Sequence, residues 1–198
     1  MGPKRRDLAM DHGLLNYSHC METGEGTIEI VDSFDRIDGR KLMDLYAESN
    51  KENAEFFYPG LQDKREALEK TEADYLNYLK NEFFSVAGNL YVIYEADGIW
   101  LSALRLYRIK DGFYYLEALE THPDHRRKGY GSCLLDGLLK VLKEQGSFQI
   151  CDCVGKQNHA SLSVHKKCGF RIVSDAGYDY LANETDDRCY GLRYTYER

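Results

Sequence analysis

The stretch "RRKGYGSC", Arg126 to Cys133, sets three cations and two glycines directly ahead of an apolar stretch of helical period. Glycine weakens a helix wherever it stands in one, so two of them at an entry need a reason. The first amides of a helix have no intrahelical partners, and the macrodipole adds about half a positive charge there. Glycines let an anion approach that backbone with no Cβ in the way. Arg126, Arg127, Lys128, Gly129, Tyr130, Gly131 and Ser132 therefore read together as a seat for a phosphate. A dinucleotide fingerprint needs a third glycine where Leu134 stands, and no P-loop pattern occurs. His122 and His125 flank a Pro-Asp turn and read as loop residues. No Cys or His spacing suggests a metal site, so none is expected.

The elements around this turn follow from periodicity. "TIEIVD" (27–32) alternates as a strand. A helix follows through Ile37, Leu42, Leu45 and Tyr46, despite Gly39. "FFYPG" (56–60) breaks the chain, and 63–84 is a second helix with Leu68, Tyr75, Leu76, Leu79 and Phe83 on one face. The period then changes to two. Residues 89–95 and 100–109 form a hairpin about "ADG", and "KDG" turns the chain into a strand over 113–121. Leu134, Leu135, Leu138, Leu139 and Leu142 make a strong helix after the glycines. Then come a strand (148–154), a helix (158–168) stopped by Gly169, a strand from Phe170 and a last strand over 189–197. Such interleaving of strands and helices means a mixed α+β or α/β fold.

The chain has 198 residues, which suits one domain with a sizeable core. Residues 27–198 read as that domain and 1–26, polar and aperiodic, as an N-terminal arm. The net charge of −7 argues against a nucleic-acid partner and leans weakly towards cationic ones. No apolar run of about 18 residues is present, so no membrane span is expected. The cations near the N-terminus are followed by no signal-peptide core, so the cytoplasm is expected. In that compartment the six cysteines should be reduced thiols. Cys133 and Cys168 read as small core residues, and Cys151 and Cys153 share one face of a strand.

Arg126-x-x-Gly129-x-Gly131 resembles the R/Q-x-x-G-x-G/A motif of the GNAT N-acetyltransferase superfamily, whose members bind acetyl-CoA by its pyrophosphate. "LEALETHP" before it matches the family's strand ending in V-x-P, with Thr121 at the Val and Pro123 at the Pro. "NHASLSVHKKCGF" matches the second motif through Asn158, Ser161, Val164, Gly169 and Phe170. The resemblance covers roughly 27–196 and implies a mixed, mostly antiparallel sheet splayed at the acyl-CoA site and flanked by helices.

It also implies residue roles. Leu119, Glu120 and Thr121 would pair their backbone with the pantetheine arm, and an amide near Leu119 would polarise the thioester carbonyl. The pyrophosphate would sit on amides from about Arg127 to Ser132, and Asn158 and Ser161 would contact the cofactor from the next helix. Glu117 is expected as the base that takes the amine's proton, because a period of two puts it on the face of Leu119. Glu120 is turned away from that face unless a bulge re-aims it.

Many family members have Tyr after the Val of the second motif, and here His165 stands there. Three readings stay open: His165 protonates the thiolate, it only touches the cofactor, or a tyrosine such as Tyr107 or Tyr178 donates. Lys156, Lys166 and Lys167 would meet the 3′-phosphate or simply form a solvated face. Phe56, Phe57, Tyr58 and Trp100 would line the acceptor pocket.

The activity implied is transfer of an acetyl group to a primary amine, on a small molecule or a protein, by direct attack in a ternary complex. The alternative is an acyl-CoA-binding sensor with little turnover. Family members often dimerise; a homodimer is an option the sequence leaves open.

Overall fold

The computed structural model describes residues 19–23 and 26–198. In chain order the elements are β1 (His19–Thr23), β2 (Gly26–Val31), α1 (Gly39–Leu45), α2 (Ala47–Phe57), α3 (Lys64–Asn81), β3 (Leu90–Ala96), β4 (Ile99–Lys110) and β5 (Phe113–Thr121). They continue with α4 (Tyr130–Gln145), β6 (Phe148–Gly155), α5 (His159–Lys167), β7 (Arg171–Ser174), β8 (Gly177–Asp179), β9 (Glu184–Asp186) and β10 (Cys189–Tyr196). Eight strands form one sheet in the order β1-β2-β3-β4-β5-β6-β10-β7, and β8 and β9 form a small hairpin apart. Every pair in the large sheet is antiparallel except β5–β6. This is the α+β class that the sequence pattern implies.

Three elements depart from the expected pattern. β1 lies within the stretch read as an arm and pairs with β2; the rest of that stretch up to residue 25 lies outside the described residues. The first helix is two helices, because Tyr46 leaves helical geometry at φ −93° and ψ 15°. The β8–β9 hairpin, too short to show a period, was not expected.

The two faces of the sheet have separate cores. On one, Leu134, Leu135, Leu138, Leu139 and Leu142 of α4 pack against Ile28, Ile30, Val92, Leu104 and Leu116. Each fully buried leucine contributes roughly 1.5–3 kcal/mol. Gly137 lets this helix approach closely, since a Cβ there would lie 1.8 Å from Ile28 Cδ1. On the other face, Leu42, Leu45, Leu79 and Phe83 cover Val31, Tyr91, Ile93 and Tyr107.

Trp100 belongs to this second core, with its indole Nε1 donating to Glu95 Oε2 at 2.9 Å, so it does not line a pocket. Cys168 is buried, as expected, but Cys133 is exposed on α4 rather than in the core. The cysteines resolved with their side chains are free thiols. Among the described residues, no helix is long and apolar enough to cross a membrane.

α5 is fastened to β6 through His165. Its side chain is fully buried, with Nε2 2.7 Å from Asp152 Oδ2 and Nδ1 donating to the Ser161 carbonyl at 2.8 Å. The Nε2–H is not aimed squarely at the carboxylate, so this is a close charge contact rather than an aligned hydrogen bond. Burial alone would lower the imidazole's pKa, but the Asp152 carboxylate and the Ser161 carbonyl outweigh it and raise the value.

Because folding raises this pKa above the unfolded value of about 6.5, the stabilisation is complete below that pH and is lost as pH rises through the folded value. His165→Leu would strand Asp152 and should cost about 3–5 kcal/mol at low pH. Urea unfolding at about pH 6 and about pH 9 should show the deficit shrinking on the alkaline side. A deficit equal at both values would refute a charged pair.

Candidate active site

The site begins with a slip in register between β4 and β5. Ala103 faces Glu120 and Arg105 faces Glu117, so two residue steps on β4 span three on β5. The extra residue is absorbed at Ala118, which has φ +52°. A residue with a Cβ pays roughly 1–2 kcal/mol for that conformation. Tyr46, at the α1–α2 junction, holds it by donating its hydroxyl to the Ala118 carbonyl at 2.8 Å.

Just before the bulge, β5 and β6 part company. They pair only from Phe113–Leu116 with Gln149–Asp152, although β5 runs on to Thr121 and β6 to Gly155. A cleft of about 720 Å³ opens beside the unpaired end of β5, walled also by α2, the glycine turn and α5.

The glycine turn closes one end of this cleft. Arg127 at φ +65° and Gly129 at φ +90° wind the chain left-handed twice before α4. Gly129 caps α4 and provides no side-chain hydrogen bond to its first amides. Gly131 has a different role: a Cβ there would lie 3.3 Å from Thr121 Oγ1, tight between helix and strand. One glycine is needed for conformation and the other for close approach.

Leu119, Glu120, Thr121, Arg126, Arg127, Gly129, Tyr130, Gly131, Ser132, Asn158 and Ser161 all line the cleft. Lys128 does not; it is exposed and outside the lining, because the turn carries its side chain away. Asn158 Oδ1 accepts from the Ser161 amide at 3.0 Å, so its carbonyl oxygen caps α5 as well. A cleft lined by uncapped helix amides and two arginines suits a pyrophosphate, and an open strand edge suits an amide-bearing arm.

Several expected roles need correction. His165 cannot reach the cleft as an acid or as a cofactor contact, because its ring points into the core and both nitrogens are engaged there. Tyr107 is buried with its hydroxyl 2.6 Å from that of Tyr78, and Tyr178 is bonded to Asn183 beside the β8–β9 hairpin. Neither lines the cleft. Lys156 lies over the Tyr190 ring, and Lys166 and Lys167 are exposed beyond the lining.

Glu117 and Leu119 do not share a face either. Leu119 packs towards α4, whereas Glu117 and Glu120 both face a second cavity, since the bulge at Ala118 adds a residue between them.

This second cavity holds about 600 Å³. Its sheet wall is Arg105, Glu117, Ala118 and Glu120, and its helical wall is built by α2 and α3. Asn50, Asn53 and Phe57 lie three and four residues apart on α2, and Thr71, Asp74, Tyr75 and Tyr78 do the same on α3. Of the aromatics named for an acceptor pocket, Phe57 lines this cavity. Phe56 points to solvent, and Tyr58 binds Asp74 from outside the lining. Ser49 and Glu120 line both cavities, so the two meet at the bulge.

Glu117 lies on the sheet wall of the second cavity, next to the bulge and 3.2 Å from Arg105 Nη2. Burial raises its pKa, against the pull of Arg105. The Arg105 guanidinium in turn lies 5.4 Å from the ring centres of both Tyr75 and Tyr78. Sequence reasoning missed Arg105 and the helical wall. An arginine within the apolar run "IWLSALRLYRI" was the available signal, since a buried strand carries a charge only where something pairs with it. The polar i, i+3, i+7 stripe on α3 was masked by the leucines beside it. Among the described residues, no cluster of His, Cys, Asp and Glu could hold a metal ion.

Comparison with known proteins fits this geometry. A model of the acetyltransferase (GNAT) family matches residues 41–170. The L-amino acid N-acyltransferase MnaT of Escherichia coli (strain K12) is 29% identical over 94 residues, covering 46% of this chain and 55% of that protein. The match thus spans about half of that relative's length.

Similar solved structures include the PaiA N-acetyltransferase of Thermoplasma acidophilum in complex with coenzyme A. Its TM-score is 0.57 at 21% identity, with 85% of this chain and 99% of that one covered. Another is yncA, a putative acetyltransferase from Salmonella typhimurium with acetyl-CoA, with a TM-score of 0.50 at 17% identity and 88% and 96% coverage. At these identities the likeness to solved structures is one of fold. The family match takes in the β5 bulge, the glycine turn and α5 together, and the chain belongs to the acetyltransferase (GNAT) family.

Proposed function

We propose that the chain is an acetyl-CoA-dependent N-acetyltransferase acting on a primary amine by direct attack in a ternary complex. The observation that carries this is the meeting of two cavities at one bulged strand, with Glu120 at the junction and Glu117 on the wall of the smaller one. The larger has the cations, helix amides and open strand edge that suit acetyl-CoA. The smaller has the carboxylates and aromatic rings that suit an amine. Acetyl-CoA supplies an acyl carbon activated as a thioester.

The chain's own groups do the rest. The glycine turn and Arg127 hold the pyrophosphate, and the free edge of β5 from Leu119 to Thr121 aligns the pantetheine arm. Holding both reactants on one strand supplies orientation, which can account for much of the barrier. Glu117 accepts the proton that the amine loses as its nitrogen bonds to the acyl carbon; the C–S bond breaks, and coenzyme A leaves as a thiolate that takes a proton from solvent. The pKa of Glu117, raised by burial, brings its proton affinity closer to that of the amine. The relative that acts on L-amino acids makes amino acids the first acceptors to try, with diamines next, because carboxylates outnumber Arg105 in the cavity.

Thermal unfolding with acetyl-CoA, and with ATP as control, tests the cofactor half. A ligand at a hundred times its Kd stabilises the native state by about 2.7 kcal/mol. Wild type should show that shift with acetyl-CoA alone. Gly131→Trp, which crowds Thr121, should lose it, and so should Arg127→Glu if the bulkier variant fails to fold. No shift in wild type at saturation would overturn the proposal.

An amine screen read by thiol release tests the chemical half. Glu117→Gln keeps the shape and should lower kcat by about a hundredfold or more. The wild-type rate should rise with pH through a carboxylate limb displaced above the ordinary glutamate range, and the variant should lack that limb. Full activity in Glu117→Gln would remove it from the mechanism.

A further inference from the structure

Arg126 does not wait for a phosphate with its guanidinium free. One terminal nitrogen contacts Glu48 Oε2 on α2, the other lies 3.0 Å from Glu120 Oε1 on β5, and Nε donates to the Thr121 carbonyl at 3.4 Å. Glu120 is held a second time, since Ser49 of α2 donates to its Oε2 at 2.9 Å. These four side chains run from one wall of the larger cleft to the other, and all four line it. Two of them, Ser49 and Glu120, also line the amine cavity. The network therefore spans the boundary between the two substrates, and it ties the helix over one cavity to the strand beneath both.

We infer that Arg126 is a partner-exchange latch, which leaves Glu48 and Glu120 for the pyrophosphate when coenzyme A enters. The inference rests on the acyltransferase reading of the cleft. One guanidinium presents a single planar fork and cannot satisfy two carboxylates and a diphosphate at once. The diphosphate brings more negative charge to the same place, so it takes Arg126 at the expense of the carboxylates. Two consequences follow from the charge count. Cofactor binding must first break the Arg126–Glu48 contact, which weakens it. Once Arg126 has moved, Glu120 is left without its cation at the junction, and the amine cavity becomes more attractive to an ammonium group. The cofactor thus prepares the acceptor site, and the amine follows it.

Glu52 provides the control. It lies on α2 and lines the same cleft, so it repels a diphosphate much as Glu48 does, but its carboxylate makes no contact with Arg126. Coenzyme A affinity is measured by calorimetry for wild type, Glu48→Gln and Glu52→Gln, each also in an Arg126→Gln background. Both glutamates are on the exposed side of α2, so the variants should fold.

The latch predicts that Glu48→Gln tightens coenzyme A by about two- to fivefold beyond any effect of Glu52→Gln, the range for breaking a half-exposed ion pair. It also predicts that this excess vanishes once Arg126 is replaced, because Glu48 then has nothing to hold back. Equal effects of the two glutamates, or an excess that survives Arg126→Gln, would mean simple repulsion and would overturn the latch while leaving the acyltransferase reading intact. Absence of coenzyme A binding in every variant and in wild type would overturn the reading of the cleft, and the latch with it.

Discussion

Everything at the site depends on β5 leaving β6 part-way along its length. A sheet strand carries a backbone donor and acceptor at every other residue on each edge, and buried groups of that kind need partners. Up to Leu116 the partner is β6; beyond it, that edge of β5 faces the cleft. The other edge stays paired with β4, but only by absorbing one extra residue at Ala118. Bulge and parting are two views of one distortion. The bulge bends the strand away, and the gap gives a ligand's own amides something to pair with. Tyr46 matters out of proportion to its size, because its one hydrogen bond fixes the distorted strand to the helices above it.

The distortion also sorts the charges. An unbulged strand would have turned Glu117 and Glu120 to opposite faces, as alternation requires. With the extra residue they open on the same cavity, and two carboxylates on one wall call for cations nearby. Arg105 provides one for Glu117 from the next strand, and Arg126 provides one for Glu120 from the loop. The two arginines are held very differently. Arg105 is clamped over aromatic rings and has little freedom, whereas Arg126 is half exposed on a loop and can change partners. A fixed cation beside the base and a movable one beside its neighbour give the two carboxylates different work despite similar surroundings.

Much of this was legible in the sequence. The glycine turn could be read because only helix-terminus chemistry and close packing excuse two glycines there, and the two positions turn out to need one reason each. The leucines of α4 declared their face by period alone. Alternation failed at Glu117 because a bulge leaves no mark in a period-two pattern; Ala118 looks like any small strand residue. His165 misled because position within a motif says nothing of which way a ring points. Asp152, the fifth residue of β6 and thirteen residues before it by no regular spacing, draws it inward. The helical wall of the amine cavity stayed hidden because it is assembled from two helices separated by the turn at Pro59 and Gly60, so no local window contains it.

Trp100 has one more consequence. It is the chain's single tryptophan, packed in the core beneath α1 and α3 and hydrogen-bonded to Glu95. It lines neither the cofactor cleft nor the amine cavity. Emission excited at the red edge, where the chain's 16 tyrosines do not absorb, therefore comes from one dry indole with a fixed neighbour. Its emission reports whether the core is intact and is insulated from direct contact with whatever occupies the clefts, so loss of fold and loss of binding can be followed as separate signals in the same cuvette.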